Sequence, residues 1–318
     1  MAISAYIKDI ARGAEGARHL SRAHAADLLG QVLDGTCTDL EIGAFCVAMR
    51  VKGETPDELA GFLDALQARL HLLPRSDRPV VVLPSYNGAR KLPVLTPLLG
   101  LILARKGLPV LIHGSATEDG RTTSQQVLEQ LGFNARRADE PIANSQLHFV
   151  PTAALHPGLE RLLQARRTLG VRNSAHSLVK LMNPVGGPAL VVGSYTHPEY
   201  MESMTATFQR TGARALLLRG TEGEPVADAR RTPRMDVFLR GQTEAVQAAQ
   251  TGPLTVLPML PNQTDAASIA RYTQAVLEGK LPVPEPIITQ VEHIVRACKR
   301  IEAENDATSL TTLRAQAQ

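Results

Sequence analysis

The first part of the chain is written in helical periodicity. Ala25, Leu28, Leu29 and Val32 fall at i, i+3, i+4 and i+7 behind Ser21, whose hydroxyl can cap a helix. Gly35 ends that run. Thr38, with Glu41 three residues on, makes a capping-box pattern for a second helix whose apolar positions are Leu40, Ala44, Phe45, Val47 and Ala48. Gly53 stops it, and Thr55-Pro56-Asp57-Glu58 opens a third: a cap, a Pro in the first turn, then acids. Its stripe is Leu59, Phe62, Leu63, Leu66 and Leu70. Stripes this narrow cannot build a deep core alone. The predicted helical domain, residues 1–73, must pack on the rest of the chain or on a second copy.

Pro74 to Pro79 marks a boundary, and the period changes beyond it. Short β-branched runs predict strands at 79–83, 109–113, 146–150, 189–193 and 214–218. Helical patterns lie between them, near 94–107, 122–131, 157–169 and 197–211. Short strands at 236–239 and 254–258, helices near 264–278 and 286–304, and a frayed last dozen residues complete the reading. The alternation predicts an α/β fold: a small N-terminal helical domain plus a larger α/β domain, 74–318, with a mostly parallel sheet flanked by helices. Functional groups on such sheets gather where strands end at their carboxyl edge, which brings Ser85–Lys91, His113–Arg121 and Arg219–Glu224 together.

The first of these segments organises the rest. The strand is expected to end at Pro84, Asn87-Gly88 is a turn dipeptide, and a helix carrying Leu92, Val94, Leu95, Leu98 and Leu99 follows, with Arg90 and Lys91 at its mouth. A strand, a turn and a helix start suit an anion, because free N–H groups and the helix dipole point there. One glycine and a Pro without an N–H leave the cradle poor in the close backbone contacts a diphosphate needs.

Composition narrows the field. Apolar residues make up 44% of 318, enough for a real core, whereas aromatics are 3% and Trp is absent, which argues against stacking platforms as the main binding device. Cys37, Cys46 and Cys298 show neither CxxC nor Cys/His spacing, so they read as reduced, buried thiols and no zinc site is indicated. No apolar run is long enough to span a membrane and no signal segment is visible, so a cytoplasmic location is expected. Net charge is only +3, but it is unevenly spread: residues 1–73 carry 7 Lys/Arg against 10 Asp/Glu, 74–121 carry 7 against 3, and 156–184 carry 5 against 1.

Cations at a helix start oppose the dipole, so Arg90 and Lys91 point to a phosphate partner. Arg121 belongs to the first basic segment; Arg166, Arg167, Arg172 and Lys180 make up the second. Arg230, Arg231 and Arg234 either extend this face or form a solvated loop. Glu222 and Glu224 hold a metal only if they converge. His113 reads as a hydrogen-bonded structural residue, and His156, His176 and His197 share no ligand spacing.

Several of these segments resemble one family. Leu20-Ser21-Arg22 through Asp34-Gly35, Ala48 through Gly61, His113-Gly114, Val127-Leu128-Glu129-Gln130-Leu131-Gly132, His156-Pro157, Arg166 through Arg172 and Asn183-Pro184 are similar, in order and spacing, to anthranilate phosphoribosyltransferases and their nucleoside phosphorylase relatives. The resemblance covers roughly residues 3–310. It implies a dimer through the helical domain, and a middle segment, about 157–184, inserted into that domain. It also implies a remnant ligand pocket at Ser85, Asn87, Gly88, His113, Gly114 and Asn173.

The departures fall on chemistry. The family's Gly-Thr-Gly-Gly-Asp diphosphate turn reads Pro84-Ser85-Tyr86-Asn87-Gly88, and its Lys-His-Gly-Asn-Arg reads Ile112-His113-Gly114-Ser115-Ala116. Its Ser-Ser-Lys reads Asp119-Gly120-Arg121, and its Asn-x-Ser-Thr reads Pro93-Val94-Leu95-Thr96. Its magnesium-holding Asp-Glu pair would lie near Pro225-Val226. With Gly170-Val171-Arg172-Asn173-Ser174-Ala175-His176, this set resembles the YbiB-type members, regarded as nucleic-acid binders. The resemblance therefore implies a non-enzymatic homodimer. It would bind DNA, especially single-stranded, or RNA through the backbone, with Arg90, Lys91, Arg121, Arg166, Arg167, Arg172 and Lys180 as contacts and with no cofactor. The alternative is a divergent glycosyl- or phosphoribosyltransferase, with magnesium on Glu222 and Glu224 and a diphosphate on Arg90, Lys91 and Arg121.

Overall fold

A computed structural model describes residues 2–13, 15–254 and 257–316. The chain begins with four helices, α1 (Ile3–Ile10), α2 (Arg22–Leu33), α3 (Asp39–Lys52) and α4 (Pro56–Gln67). The last three start where the side chains dictate. The Ser21 hydroxyl accepts from the His24 N–H, and Thr38 with Glu41, then Thr55 with Glu58, close reciprocal capping boxes. Helix α1 has no counterpart in the sequence pattern.

The α3 stripe needs correction. Ile42, Phe45, Cys46 and Met49 face inward, while Leu40, Ala44 and Val47 are exposed. Residues 45 and 46 are adjacent to both stripes, so periodicity alone does not choose between two apolar faces.

Among the described residues seven strands follow: β1 (Val80–Ser85), β2 (Val110–Gly114), β3 (Leu147–Pro151), β4 (Ala189–Tyr195), β5 (Ala215–Arg219), β6 (Met235–Leu239) and β7 (Gln242–Gln247). They form one sheet in the order β3-β2-β1-β4-β5-β6-β7, parallel through β5 and antiparallel for the last two. The expected strand at 254–258 lies partly outside the described residues, and Leu254, Leu257 and Pro258 are not in a strand. The seventh strand is instead the polar Gln242–Gln247, which pairs because a tight turn folds it back on β6.

Nor does β1 stop at Pro84. It pairs onward with His113, and Ser85 with Gly114, while pairing to β4 has already ended at Val82. The missing N–H of Pro84 therefore leaves no gap in either ladder.

Helices α5 (Thr96–Arg105), α6 (Ser124–Gln130), α7 (Thr152–Leu155), α8 (Pro157–Leu169), α9 (Ala175–Leu178), α10 (Pro198–Thr211) and α11 (Ala266–Leu277) cover the sheet. Helix α12 (Glu285–Gln316) continues through residues expected to fray.

The sheet separates two cores, and alternate strand residues serve opposite faces. Val80 and Val82 join one core with α1–α4, α8, α9 and α10. Val81 and Leu83 join the other with α5, α6, α11 and α12. The N-terminal helices thus share a continuous core with the sheet, extended by α8 and α9. Cys37, Cys46 and Cys298 are free and buried, and no helix among the described residues is long and apolar enough to cross a membrane.

Candidate functional site

Three loops meet at the carboxyl ends of β1, β2 and β5. The first, residues 86–92, carries a left-handed Gly88 (φ 66°), and a Cβ there would stand 2.6 Å from the Thr122 carbonyl. Only glycine permits this turn to lie so close to the second loop. The Ala89 N–H then donates to that carbonyl at 2.7 Å. Gly114 serves the same closeness one step deeper, since a Cβ would meet the Ser85 carbonyl at 2.1 Å.

The turn's amides are occupied from within. One Glu224 oxygen accepts from Asn87 N at 2.7 Å and Gly88 N at 2.9 Å. The other accepts from the Ser85 hydroxyl at 2.5 Å and the Thr96 hydroxyl at 2.9 Å. A carboxylate offers about four lone-pair positions, so Glu224, itself 1% exposed, is saturated. Glu222 fills the next part of the loop: its carboxylate accepts from Arg90 N at 2.8 Å and Lys91 N at 3.0 Å, with Leu92 N at 3.4 Å. The connecting backbone is pinned as well. Asn87 Nδ2 donates to the Glu222 carbonyl at 2.6 Å, and Ser194 Oγ and Lys180 Nζ each donate to the Gly223 carbonyl at 2.8 Å.

The anion-friendly amides are thus in the loop itself. Arg90 and Lys91 do not sit at the mouth of α5, which starts at Thr96 without a side-chain cap. Neither acid is free for magnesium in this arrangement: the Glu222 carboxylate accepts from loop amides, and the Glu224 carboxylate from amides and hydroxyls.

The basic residues divide into three groups. Arg90 and Lys91 are exposed, and their side chains have no ion pair among the described residues. Arg121, Arg166 and Arg172 converge on Glu118. Three guanidinium groups around one carboxylate leave positive charge in surplus. Burial pushes the Glu118 carboxyl up, but the hydrogen bond and charge of Arg172, helped by Arg121 and Arg166, outweigh it and hold the group below its ordinary range. Arg121 also reaches the Asn87 carbonyl at 3.2 Å and Arg166 the Thr117 carbonyl at 2.9 Å, tying this cluster to the turn. Arg167 pairs with the exposed Asp119 at 3.1 Å.

Lys180 has no ion pair among the described residues, and its Nζ donates to the Gly223 carbonyl. It lines a cavity, and burial, opposed by the charge of Glu224, lowers it to about 8.

That cavity, about 710 Å³, opens between α3–α4, the α8–α9 segment and the start of α10. Arg166, Arg172, Asn173, His176, Lys180 and Tyr200 are among its lining. Of the expected remnant pocket, Asn87 and Asn173 line it, while Ser85, Gly88, His113 and Gly114 do not. Ser85 is spent on Glu224, and Gly114 lies in the β1–β2 ladder. Asn173 reaches the Leu162 carbonyl with Nδ2 and accepts from Ala175 N, so its amide shapes the α8–α9 link. His113 is wholly buried, with Nδ1 2.7 Å from the Tyr86 hydroxyl, and burial lowers it to about 3. It is a neutral core histidine. His176 is likewise pushed down to about 3 by burial, with Arg172, Arg166 and Lys180 adding to the effect; its Nε2 lacks a partner among the described residues.

Comparison with known proteins places this geometry. Residues 4–70 match the family model described as the glycosyl transferase family, helical bundle domain. The uncharacterized protein YbiB of Escherichia coli K12 is 37% identical over 292 residues, 90% of this chain and 91% of that protein. Anthranilate phosphoribosyltransferase of Moorella thermoacetica is 30% identical over 213 residues, 65% of this chain and 62% of that enzyme. The chain belongs to the anthranilate phosphoribosyltransferase-like family.

Solved structures of anthranilate phosphoribosyltransferases share the fold. The crystal structure of the Thermus thermophilus anthranilate phosphoribosyltransferase aligns with a TM-score of 0.71 at 21% identity, over 94% of this chain and 89% of the enzyme. The Saccharomyces cerevisiae enzyme in complex with PRPP and Mg aligns with a TM-score of 0.66 at 16% identity, over 97% and 96%. Within this anthranilate phosphoribosyltransferase-like chain, the three segments expected at the carboxyl edge do meet there, but the internal carboxylate contacts go unforeseen. Glu222 and Glu224 pair with amides 132 and 136 residues away, which leaves no signature in spacing.

Proposed function

We propose that this protein is a nucleic-acid-binding homodimer without sequence preference. It takes the phosphodiester backbone of DNA, single strands above all, or of RNA, on a phosphoribosyltransferase fold whose diphosphate and magnesium motifs are gone. The observation that carries the reading is the contrast between the two halves of the site. The turn that would cradle a diphosphate is filled by Glu224 and Glu222, while Arg90 and Lys91 beside it are exposed and have no ion pair among the described residues. Free cations next to a filled pocket suit an extended polyanion better than a compact diphosphate–metal complex. Each phosphate neutralised by Lys or Arg releases counterions, so the free energy of binding comes largely from salt-dependent entropy. The surplus charge of Arg121, Arg166 and Arg172, with Arg167 beside them, extends the track.

Support for a dimer comes from α3. Leu40, Ala44, Val47 and Val51 form one exposed stripe at spacings of four, three and four, with Leu40 84% and Val51 63% exposed. An apolar helix face of this kind is covered by a partner, here a second copy, which would double the number of phosphate contacts per particle.

A second reading rests on the cavity. At about 710 Å³ it has the size of a small-molecule site, which favours a divergent transferase with another acceptor, using Arg90, Lys91 and Arg121 for its donor.

Titrating a fluorescent single-stranded oligonucleotide across a salt series, beside calorimetry with phosphoribosyl pyrophosphate and Mg²⁺, separates the two. Salt-steep oligonucleotide binding with no metal-dependent heat supports the first. Metal-dependent binding of the sugar diphosphate with no oligonucleotide binding supports the second.

A further inference from the structure

Glu222 and Glu224 play unlike parts although both occupy loop amides. Glu224 is 1% exposed and has four donors, two of them hydroxyls. Glu222 is partly exposed; among the described residues its carboxylate accepts from backbone N–H groups, those of Arg90, Lys91 and, more distantly, Leu92, with the charge of Arg230 nearby. Its backbone is left-handed (φ 53°, ψ 22°), a conformation that L-residues with a Cβ adopt at a cost. Asn87 grips the Glu222 carbonyl with its amide, so the backbone here is tied down by a contact separate from those of the carboxylate.

Successive backbone amides converging on one anion form a nest, and nests of this kind bind phosphate as readily as carboxylate. The two groups are alike in presenting a pair of anionic oxygens, and the nest here is flanked by two cationic side chains that the carboxylate does not engage.

We propose that the Arg90–Leu92 nest is a phosphate site and that the Glu222 carboxylate is its built-in stand-in, displaced when a phosphodiester or terminal phosphate enters between the Arg90 and Lys91 side chains. This rests on the nucleic-acid reading for its physiological ligand, though not for the chemistry of the nest. Glu222 then sets the affinity: it keeps the amides satisfied in the free protein and competes with every incoming phosphate. Weak, exchangeable contact with any strand follows, and the buried Glu224 stays fixed.

The experiment uses the full chain and two probes, inorganic pyrophosphate and a single-stranded oligonucleotide, with backbone amide NMR and fluorescence anisotropy as readouts. Glu222→Ala is expected to bind both probes roughly fivefold to tenfold more tightly, the scale of one ordinary net hydrogen bond. In the wild type, pyrophosphate is expected to shift the Arg90 and Lys91 amide resonances more than those of Asn87 and Gly88. Asp119→Asn removes a carboxylate from the same rim without touching the nest and should gain less. Glu222→Gln keeps an acceptor in place of the charge and should fall between, which also covers the case of an Ala variant that fails to fold. Unchanged or weaker binding by folded Glu222 variants overturns the proposal. So does a gain matched by Asp119→Asn with the two amides unmoved. Loss of oligonucleotide binding in every variant, with pyrophosphate still shifting the two amides, would instead overturn the nucleic-acid reading and leave the phosphate site standing.

Discussion

Gly88 donates its backbone N–H to a carboxylate oxygen of Glu224 at 2.9 Å, across 136 residues of chain. A loop at the end of β1 and a loop after β5 are joined by a buried carboxylate that accepts from backbone and hydroxyl groups, with the charge of Lys180 nearby. Removing one partner of such a set strands the others. Glu224→Ala is expected to cost about 3–5 kcal/mol, because the amides of Asn87 and Gly88 and two hydroxyls lose their acceptor in a dry site. Urea denaturation checks it, and a loss below about 1 kcal/mol would mean that these donors find other partners.

The Arg90 and Lys91 side chains project from the same loop with no ion pair among the described residues, so replacing both by Ala should leave stability nearly unchanged. If each meets one phosphate of a single strand, the log–log salt slope of binding falls by about 1.4, at roughly 0.7 per contact. Anisotropy titrations at several salt concentrations measure it. An unaltered slope would remove these residues from the interface.

Acid should weaken the fold through its buried histidines. His113 and His176 are each held near 3, against an ordinary value of 6.5. Well above pH 6.5 both are neutral in the folded and unfolded states and contribute no pH dependence. Below it the unfolded chain takes up protons that the folded chain refuses, so stability declines from about pH 6.5 toward pH 3. Around His176 the cations Arg172, Arg166 and Lys180 deepen that refusal. The His176→Asn variant, followed by Tm against pH, should show a shallower decline than the wild type. A slope identical to wild type would show that His176 is not among the groups responsible.

Lys180 acts with the same sign in a separate, alkaline window. Its charged form is disfavoured in the fold, with a value of about 8 against 10.5, so the unfolded chain holds more protons between those limits and stability rises with pH there. Lys180→Met should flatten that rise in a Tm series spanning the two values, whereas a variant that keeps the full rise would relocate the effect elsewhere.

The α3 stripe predicts association. Val47→Lys places a charge in the middle of Leu40, Ala44 and Val51 and should shift the protein from dimer to monomer in sedimentation velocity, with far-UV signal intact because Val47 is exposed in the single chain. If Val47→Lys sediments with the wild type, the stripe is not the contact.

Much of this molecule was legible from residue order. Ser21, Thr38 with Glu41, and Thr55 with Glu58 fix three helix starts through interactions no more than three residues long, and such short-range chemistry survives in any context. Short β-branched runs between helical stretches likewise announced a parallel sheet, and Asn87-Gly88 announced the turn beside it. What needed the tertiary structure was which of two apolar faces of α3 turns inward, the extra pairing of β1 beyond Pro84, and the edge position of the polar β7. Above all it was the occupation of the turn by Glu222 and Glu224. Each of these depends on what lies opposite a residue in space, and a chain folded through a seven-stranded sheet brings together groups whose separation in sequence carries no periodic trace. A carboxylate is written the same way whether it meets water, a metal or an amide, and only its neighbours decide which.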